Sequence, residues 1–202
     1  QEAILEELRA AVEVARVSDR REDYDAALSS LKRGSQIAFE TLSLVRHQTA
    51  VAKAPHVVSH VRGMVEEGHK VVVWAHHRDV ISMMSEDLGE AGIGVVTLTG
   101  DASMIERQAA VDRFQTDPST RVFIGNIQAG GVGITLTASS HVVFSELSWV
   151  PATMSQAEDR CHRIGQSESV LIQHLVLQDS LDGRMAHALV DKQRTIDAAL
   201  DD

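Results

Sequence analysis

The sequence predicts an α/β fold, a parallel sheet flanked by helices, with a helical appendage at its N-terminus. Residues 1–53 contain no proline and one glycine, and their apolar residues recur at intervals of three and four, which is typical of amphipathic helices. After Pro55, short β-branched apolar runs alternate with helix-like segments. Because these runs are apolar at consecutive positions, they suit strands that are covered on both faces, as in parallel sheets.

The sequence divides into two parts near Pro55. This division separates a helical appendage (1–53) from an α/β domain (54–202) that ends in a closing helix. Strands are predicted at Val71–Trp74, Val95–Leu98, Val122–Ile124, Val142–Phe144 and Val170–Ile172. Helices are predicted at Glu2–Val17, Glu22–His47, Val57–Glu67, Val80–Ala91, Met104–Phe114, Ala152–Arg163 and from Leu181 onward. Ser103 and Glu106 have the spacing of a capping box.

The composition of the 202 residues narrows the class of protein. The net charge of −10 argues against a general nucleic-acid coat, because such proteins concentrate basic residues on one surface. An aromatic content of 3% argues against a base-stacking platform for single strands. An acidic protein can still grip a few phosphates through backbone amides, hydroxyls and selected arginines, so a motor acting on nucleic acid is compatible with this charge.

Membrane insertion and disulfide bonding are not expected. No apolar run approaches the roughly 18 residues that a membrane helix needs, and the first residues are charged, unlike a signal peptide. Cys161 is the only cysteine, so it has no internal disulfide partner and is expected to fill space in or near the core. We therefore expect no membrane partner and an intracellular location, cytoplasmic in a bacterial-type cell or nuclear.

The most informative segment is QAEDRCHRIGQ, which begins at Gln156. Pro151 before it and Gly165 within it predict the start and the end of one helix. On that helix Gln156, Arg160 and Arg163 would share a face. Two guanidinium groups beside an amide suit a polyphosphate, because arginine stays charged and donates parallel hydrogen bonds to phosphate oxygens. The alternative is a solvated face on which nearby carboxylates pair with the arginines.

A glycine-rich loop, AGGVGITL, follows the strand predicted at Val122–Ile124. Taken alone, it suits a structural turn and a phosphate-contacting loop equally well. It is not a Walker A site, because no Gly-Lys-Ser/Thr follows, and it does not fit the dinucleotide fingerprint. The loop and the arginine segment both follow predicted strands, and ligands of parallel sheets collect beyond the carboxyl ends of strands.

No metal site and no hydrolase triad are predicted. His76 and His77 are adjacent at the end of a predicted strand, so their side chains point to opposite sides. No group of His, Cys and Asp residues has the spacing of a zinc site. No G-x-S-x-G nucleophile elbow occurs either.

Taken together, these segments resemble the C-terminal RecA-like lobe of superfamily two helicases, specifically the Swi/Snf group of DNA translocases. The resemblance spans roughly Ala54 to Lys192. It is carried by KVVVWAHH from Lys70, LTGD from Leu98 with Arg107 and Phe114, AGGVGITL from Ala129, QAEDRCHRIGQ from Gln156, and SLDGRM from Ser180. The HH pair and the FSELSW stretch look most like the annealing-helicase and fork-remodelling branch. One departure is Asn126-Ile-Gln128, where the family often has Ser/Thr-x-Arg.

This resemblance implies a motor that binds ATP between two lobes, of which this chain is the second. ATP and Mg²⁺ would be held mainly by the first lobe, which carries the family's phosphate-gripping lysine and Asp-Glu box. Arg160 and Arg163 would be the catalytic arginine fingers. Gln156, Gly131 and Gly133 would contact the nucleotide. Because the first lobe's motifs are absent from these residues, the isolated chain is expected to hydrolyse no ATP.

The resemblance also implies two partners, double-stranded or branched DNA and the N-terminal RecA-like lobe of the same parent protein. Thr99, Ser103, Gln128 and Thr135 would contact the DNA backbone. Residues 1–53 would correspond to the helical protrusion of such motors. Two alternatives are a non-catalytic lobe-like module that binds DNA or protein, and another α/β nucleotide-binding enzyme such as a methyltransferase.

Overall fold

The computed structural model describes residues 6, 7, 9–11, 13, 21–128, 133–163, 166 and 168–200. The chain forms two compact units, residues 1–47 and 48–202. The division into an appendage (1–53) and a lobe (54–202) stays a prediction, and the helix predicted over Glu2–Val17 lies mostly outside the described residues. Among the described residues, no helix is both long enough and apolar enough to cross a lipid bilayer.

The described elements form an α/β fold with a parallel sheet. The helices are α1 (Arg21–Glu66), α2 (Arg78–Glu90), α3 (Met104–Thr116), α4 (Pro151–Glu158) and α5 (Leu181–Leu200). The strands are β1 (Val71–Ala75), β2 (Gly94–Leu98), β3 (Thr120–Asn126), β4 (His141–Phe144) and β5 (Leu171–His174). Their order in the sheet is β2-β3-β1-β4-β5, and every pairing is parallel. The predicted fold class is confirmed.

The sheet is covered on both faces, as the continuously apolar runs predict. Every residue of β1 is buried, and alternate side chains enter different layers of the core. Val72 and Trp74 pack in one cluster with α3, α4 and Met185 of α5. Val71 and Val73 pack in the other cluster with α1 and α2. The edge strand β5 is an exception, because most of its residues are exposed. At the buried central strands, the ends are the positions where a site can form.

The predicted helix boundary at Pro55 is wrong, because α1 continues through that residue. Proline removes one helix hydrogen bond, whose net contribution is about 1 kcal/mol, and it normally kinks or ends a helix. Here Ala50 and Ala54 before the proline and Val57 after it are at least 98% buried in the core. With the ring clash included, proline inside a helix costs about 3 kcal/mol or more. Burying a valine side chain contributes roughly 1.5–3 kcal/mol, and the two buried alanines add to this, so the packing is large enough to offset the penalty.

The start of α3 has the predicted capping box. Ser103 Oγ accepts a hydrogen bond from the Glu106 N–H at 3.3 Å, and the Glu106 carboxylate accepts one from the Ser103 N–H at 2.8 Å. These hydrogen bonds lower the pKa of Glu106. The cap fixes the direction in which the chain leaves the end of β2.

Candidate nucleotide and DNA site at the carboxyl edge of the sheet

The predicted site residues follow the carboxyl ends of the strands, which lie at one edge of a parallel sheet, here termed the carboxyl edge. Thr99 and Ser103 follow β2, while Gln128 and Thr135 follow the neighbouring strand β3. The arginine segment follows β4 and α4. The fold therefore places these residues on connections that begin at the same edge.

The predicted helix from Pro151 to Gly165 is wrong in its extent. Pro151 begins α4, but the helix ends at Glu158, and Gly165 lies outside the described residues. After Glu158 the N–H groups of Arg160 and Cys161 reach back three residues rather than four. Cys161 is fully buried, as predicted, and burial raises the pKa of its thiol to about 12. Its place in the core outweighs helix propensity, which is worth less than about 1 kcal/mol per residue.

Arg160 is buried beyond the end of α4, with 7% of its surface exposed. Within the described part of the chain, its Nε has no hydrogen-bond partner and its guanidinium has no carboxylate within ion-pair distance. Burial lowers the pKa of Arg160, the charge of Arg163 lowers it further, and Asp159 acts in the opposite direction. A buried cation without a partner is destabilising, so an anion bound here would stabilise it.

Arg163 is exposed and lies against the end of the glycine loop and the residues directly after it, residues 135–139. Its Nη1 donates a hydrogen bond to Thr135 Oγ1 at 3.1 Å. The Leu136 N–H donates to the Arg160 carbonyl oxygen at 2.8 Å, and the Gln166 amide donates to two further carbonyl oxygens of the same segment. These contacts bring together a predicted catalytic residue, Arg163, and a predicted DNA contact, Thr135.

Gln156, Gly133 and Gly131 are the three residues predicted to contact the nucleotide. Gln156 is exposed on α4, and no hydrogen bond between described residues joins its side chain to Arg160 or Arg163. The face that these residues were predicted to share does not form, because the helix ends before the arginines. Gly133 is exposed and has φ 31°, in the left-handed region that favours glycine. Gly131 lies outside the described residues.

Thr99 belongs to an exposed polar network after β2. Its Oγ1 donates to Asp101 Oδ1 at 2.6 Å, and Arg78 Nη1 donates to Asp101 Oδ2 at 3.2 Å. The hydrogen bond from Thr99, a backbone hydrogen bond and the Arg78 charge lower the pKa of Asp101. Ser103 Oγ already serves as the cap of α3. Both hydroxyls thus have partners inside the protein, and their contacts with DNA stay predictions.

Gln128 is exposed at the point where the chain leaves β3. Its N–H donates to the Asn126 side-chain carbonyl oxygen at 2.9 Å, and Asn126 Nδ2 donates to the His76 carbonyl oxygen at 2.6 Å. Asn126 is 92% buried. Its side chain therefore ties the end of β3 to the turn after β1, a role that the sequence did not reveal.

A second residue that sequence reasoning missed is Glu146, a buried carboxylate after β4. Its Oε2 accepts hydrogen bonds from the backbone N–H groups of His76 at 2.8 Å and His77 at 2.9 Å. Its Oε1 lies 2.6 Å from His77 Nδ1, and only 3% of the carboxylate side chain is exposed. The available signal was an acid directly after a buried strand, because glutamate is rarely buried unless it is paired.

The described residues suit a polyphosphate but not a magnesium ion. Arg160 and Arg163 are cationic donors, which match phosphate oxygens. Magnesium requires oxygen ligands such as carboxylates. No group of three or more His, Cys, Asp or Glu side chains is placed to hold a metal in the part of the chain that the structure describes.

Residues 52–165 match the family of the helicase conserved C-terminal domain. The matched range contains the glycine loop, Glu146 and both arginines. The chain belongs to this family. The described α/β fold and the arrangement of its strand ends agree with that membership.

Similar proteins are found in the Swi/Snf group. Human DNA annealing helicase and endonuclease ZRANB3 is 45% identical over 139 residues, which are 68% of this chain and 13% of that protein. The SWI/SNF-related matrix-associated actin-dependent regulator of chromatin subfamily A-like protein 1 homolog of Caenorhabditis elegans is 35% identical over 172 residues, 85% of this chain and 25% of that protein. The helicase C-terminal domain described here thus spans 13% to 25% of the length of these relatives.

Two solved structures support the same placement. The C-terminal part of the Fun30 ATPase domain aligns with TM-score 0.60 and 28% identity over 62% of this chain and 41% of that chain. The Sulfolobus solfataricus SWI2/SNF2 ATPase core domain aligns with TM-score 0.55 and 28% identity over 66% of this chain and 27% of that chain. The predicted resemblance to the RecA-like C-terminal lobe of Swi/Snf helicases is confirmed.

Proposed function

We propose that this helicase C-terminal domain is the second motor lobe of an ATP-dependent translocase acting on double-stranded or branched DNA. Arg160 and Arg163 are proposed as its arginine fingers. The observation that carries the proposal is the buried Arg160, whose Nε has no hydrogen-bond partner among the described residues and whose pKa is lowered by burial and by the charge of Arg163. Similarity to human DNA annealing helicase and endonuclease ZRANB3 supports DNA as the partner.

The two arginines are suited to different parts of the same task. Arg160 is held by its burial, so its charge is preorganised rather than recruited at the moment of reaction. Arg163 is exposed and can exchange the Thr135 hydroxyl for a phosphate oxygen. ATP, when bound with Mg²⁺ on the other lobe, supplies the phosphoryl group whose developing negative charge these guanidiniums would offset.

If Arg163 exchanged its hydrogen bond with Thr135 for one with a phosphate oxygen, nucleotide binding would be linked to DNA contact. Thr135 lies near the end of the glycine loop and is itself a proposed contact for the DNA backbone. When a phosphate oxygen takes the place of its hydroxyl, that hydroxyl becomes available to a DNA phosphate. The geometry thus supports a motor lobe more directly than a passive binding module, in which the arginine pair would have no task.

The test is DNA-stimulated ATP turnover by the parent protein that carries Arg160→Ala or Arg163→Ala. Each variant is expected to lose about 10³-fold or more in turnover, as removal of arginine fingers does elsewhere, while duplex binding persists. Arg194→Ala is the matched control, because Arg194 is 78% exposed on α5 and has only a 3.8 Å ion pair with Asp191. It is expected to keep normal turnover.

Three outcomes separate this proposal from its alternatives. Near-normal turnover by both finger variants contradicts the assignment of the arginines. A parent protein without a Gly-Lys-Thr/Ser loop and an Asp-Glu box favours the non-catalytic module. The isolated chain is expected to hydrolyse ATP no faster than buffer. Measurable DNA-stimulated turnover by a clean preparation would contradict the proposal that hydrolysis needs both lobes.

A further inference from the structure

The ends of three central strands meet around one buried carboxylate. Glu146 follows β4, is 98% buried, and accepts hydrogen bonds from the His76 and His77 N–H groups after β1. The same carboxylate lies 2.6 Å from the His77 ring nitrogen Nδ1. A carboxylate that accepts from several donors holds them in one arrangement, and such charge-assisted bonds are about twice as strong as neutral ones.

The turn at His76 and His77, which Glu146 holds, is also hydrogen-bonded to the end of β3. The His76 carbonyl oxygen accepts from Asn126 Nδ2 at 2.6 Å, and the Asn126 side-chain oxygen accepts from the Gln128 N–H at 2.9 Å. The Ile127 N–H also donates across this junction, to the Ala75 carbonyl oxygen at 2.8 Å. The position of Gln128, which directly precedes the glycine loop in the sequence, therefore depends on a chain of hydrogen bonds that ends at Glu146.

In the other direction, Glu146 lies on the connection to the arginine segment. This connection runs from the end of β4 to the start of α4 at Pro151, and Arg160 follows shortly after that helix. The backbone of the connection is joined to β1, because the Ser145 N–H donates to the Trp74 carbonyl oxygen at 2.9 Å. Glu146 thus belongs to the connection that leads to the arginines, and it bonds the turn that Asn126 contacts at the end of β3.

Stability alone does not explain a carboxylate at this position. Removing an ionised carboxylate from water is costly, and a well-packed apolar side chain often serves stability equally well. The acid does provide a fixed acceptor for three donors on a neighbouring turn. Its chemistry is that of a residue that positions other groups.

We propose that Glu146 is a positioning residue for the turn after β1 and, through it, for the end of β3 where Gln128 leaves the sheet. Through His76 and Asn126 it sets the position of Gln128, a proposed contact with the DNA backbone. It touches neither nucleotide nor DNA itself. This inference rests on the proposed motor function and adds a residue that sequence reasoning did not single out.

The experiment compares Glu146→Gln with wild type in the parent protein. The amide keeps the shape of the side chain and one acceptor oxygen but presents an NH₂ group where the second oxygen stood, so one set of donors loses its partner. The duplex concentration that gives half-maximal stimulation of ATP turnover is expected to rise at least about tenfold, which is the lower end of the loss at metal sites when a residue that orients the ligands is removed. Turnover without DNA is expected to change much less.

Matched variants distinguish positioning from stability. Asp117→Asn changes a carboxylate with pKa about 2 that caps the turn before β3 at the opposite edge of the sheet. It is expected to lower the melting temperature without changing the half-saturating duplex concentration. His77→Ala keeps the backbone N–H groups bonded to Glu146, so it is expected to have a smaller effect than Glu146→Gln.

Each outcome bears on the inference. If Glu146→Gln lowers only the melting temperature and leaves the half-saturating duplex concentration unchanged, as in Asp117→Asn, the inference is overturned. Arg160→Ala in the same assay reports separately on the proposed function. If that variant keeps normal turnover, the motor assignment fails, and equilibrium binding of duplex without ATP decides the inference alone. Unchanged affinity of Glu146→Gln for duplex then overturns it, and a loss of about tenfold supports it.

Discussion

Two buried cations in this protein are held in opposite ways. Lys53 is 4% exposed, pairs with the buried Asp182 carboxylate and donates to the Leu175 carbonyl oxygen at 2.7 Å. Arg160 is 7% exposed and has neither an ion pair nor a partner for its Nε among the described residues. Because burial is similar, the difference lies in pairing. A buried charge with a partner stabilises the fold, whereas a buried charge without a partner is better explained by a ligand that binds it.

This contrast predicts opposite effects of two similar substitutions. Arg160→Met is expected to leave the free energy of unfolding unchanged or to raise it by up to about 2 kcal/mol, because it removes an unpaired buried charge and keeps an apolar stem. Lys53→Met is expected to lower it by about 3 kcal/mol or more, because Asp182 is left buried without its partner. Urea denaturation of the chain measures both. Equal losses would mean that Arg160 has structural partners of its own.

At the scale of elements, the contact between β1 and β3 depends on a residue without a side chain. Trp74 pairs in register with Gly125, and its ring lies over the glycine. A Cβ at position 125 would stand 2.8 Å from Trp74 Cε3 and 3.1 Å from Phe123 Cε1. Both rings are fully buried, so neither can move aside without disturbing the core. Glycine is therefore required here by close packing between strands.

Gly125→Ala is expected to lower the free energy of unfolding by about 1–3 kcal/mol through overpacking. Gly89→Ala on α2 is the control, because a Cβ there meets no atom within 4 Å. Alanine in that helix is expected to be neutral or to stabilise by up to about 1 kcal/mol. Thermal unfolding followed by circular dichroism compares the two. Similar melting temperatures for both variants would contradict this account of the packing.

At the scale of the whole molecule, we expect the free energy of unfolding to depend on protonation of His141, at the edge of the sheet opposite the carboxyl edge. His141 at the start of β4 stacks on His69, with ring centroids 4.0 Å apart. Burial lowers the pKa of His141, and the nearby charge of His69 lowers it further, while Glu168 and Glu67 act in the opposite direction. The folded protein therefore binds a proton at His141 less readily than the unfolded chain does.

This linkage gives the sign of a pH dependence. Above the ordinary histidine pKa of 6.5, His141 is neutral in both states and imposes no penalty. As the pH falls through that value, the unfolded chain takes up the proton first, so the free energy of unfolding decreases. Denaturation at about pH 7.5 and about pH 5.5 should show a smaller decrease for His141→Asn than for wild type. An equal decrease in the free energy of unfolding for the two proteins would show that His141 is not the cause.

The sequence by itself determined the fold class, the strands and the family. Runs such as Val71–Trp74 are apolar at consecutive positions, and this pattern is local, so it can be recognised without knowing what lies beside it. The capping box at Ser103 is equally local and is present as predicted. The arginine segment predicted the family because its residues are contiguous in the chain.

Only the tertiary structure decided where two helices end and which polar groups are buried. Pro55 lies within α1 and α4 ends at Glu158, because core packing outweighs local propensity at both places. The partners of Glu146 and Lys53 are 69 or more positions away along the chain. Burial and pairing of this kind depend on which strands become neighbours, and that information is spread over the whole sequence rather than held in any one segment.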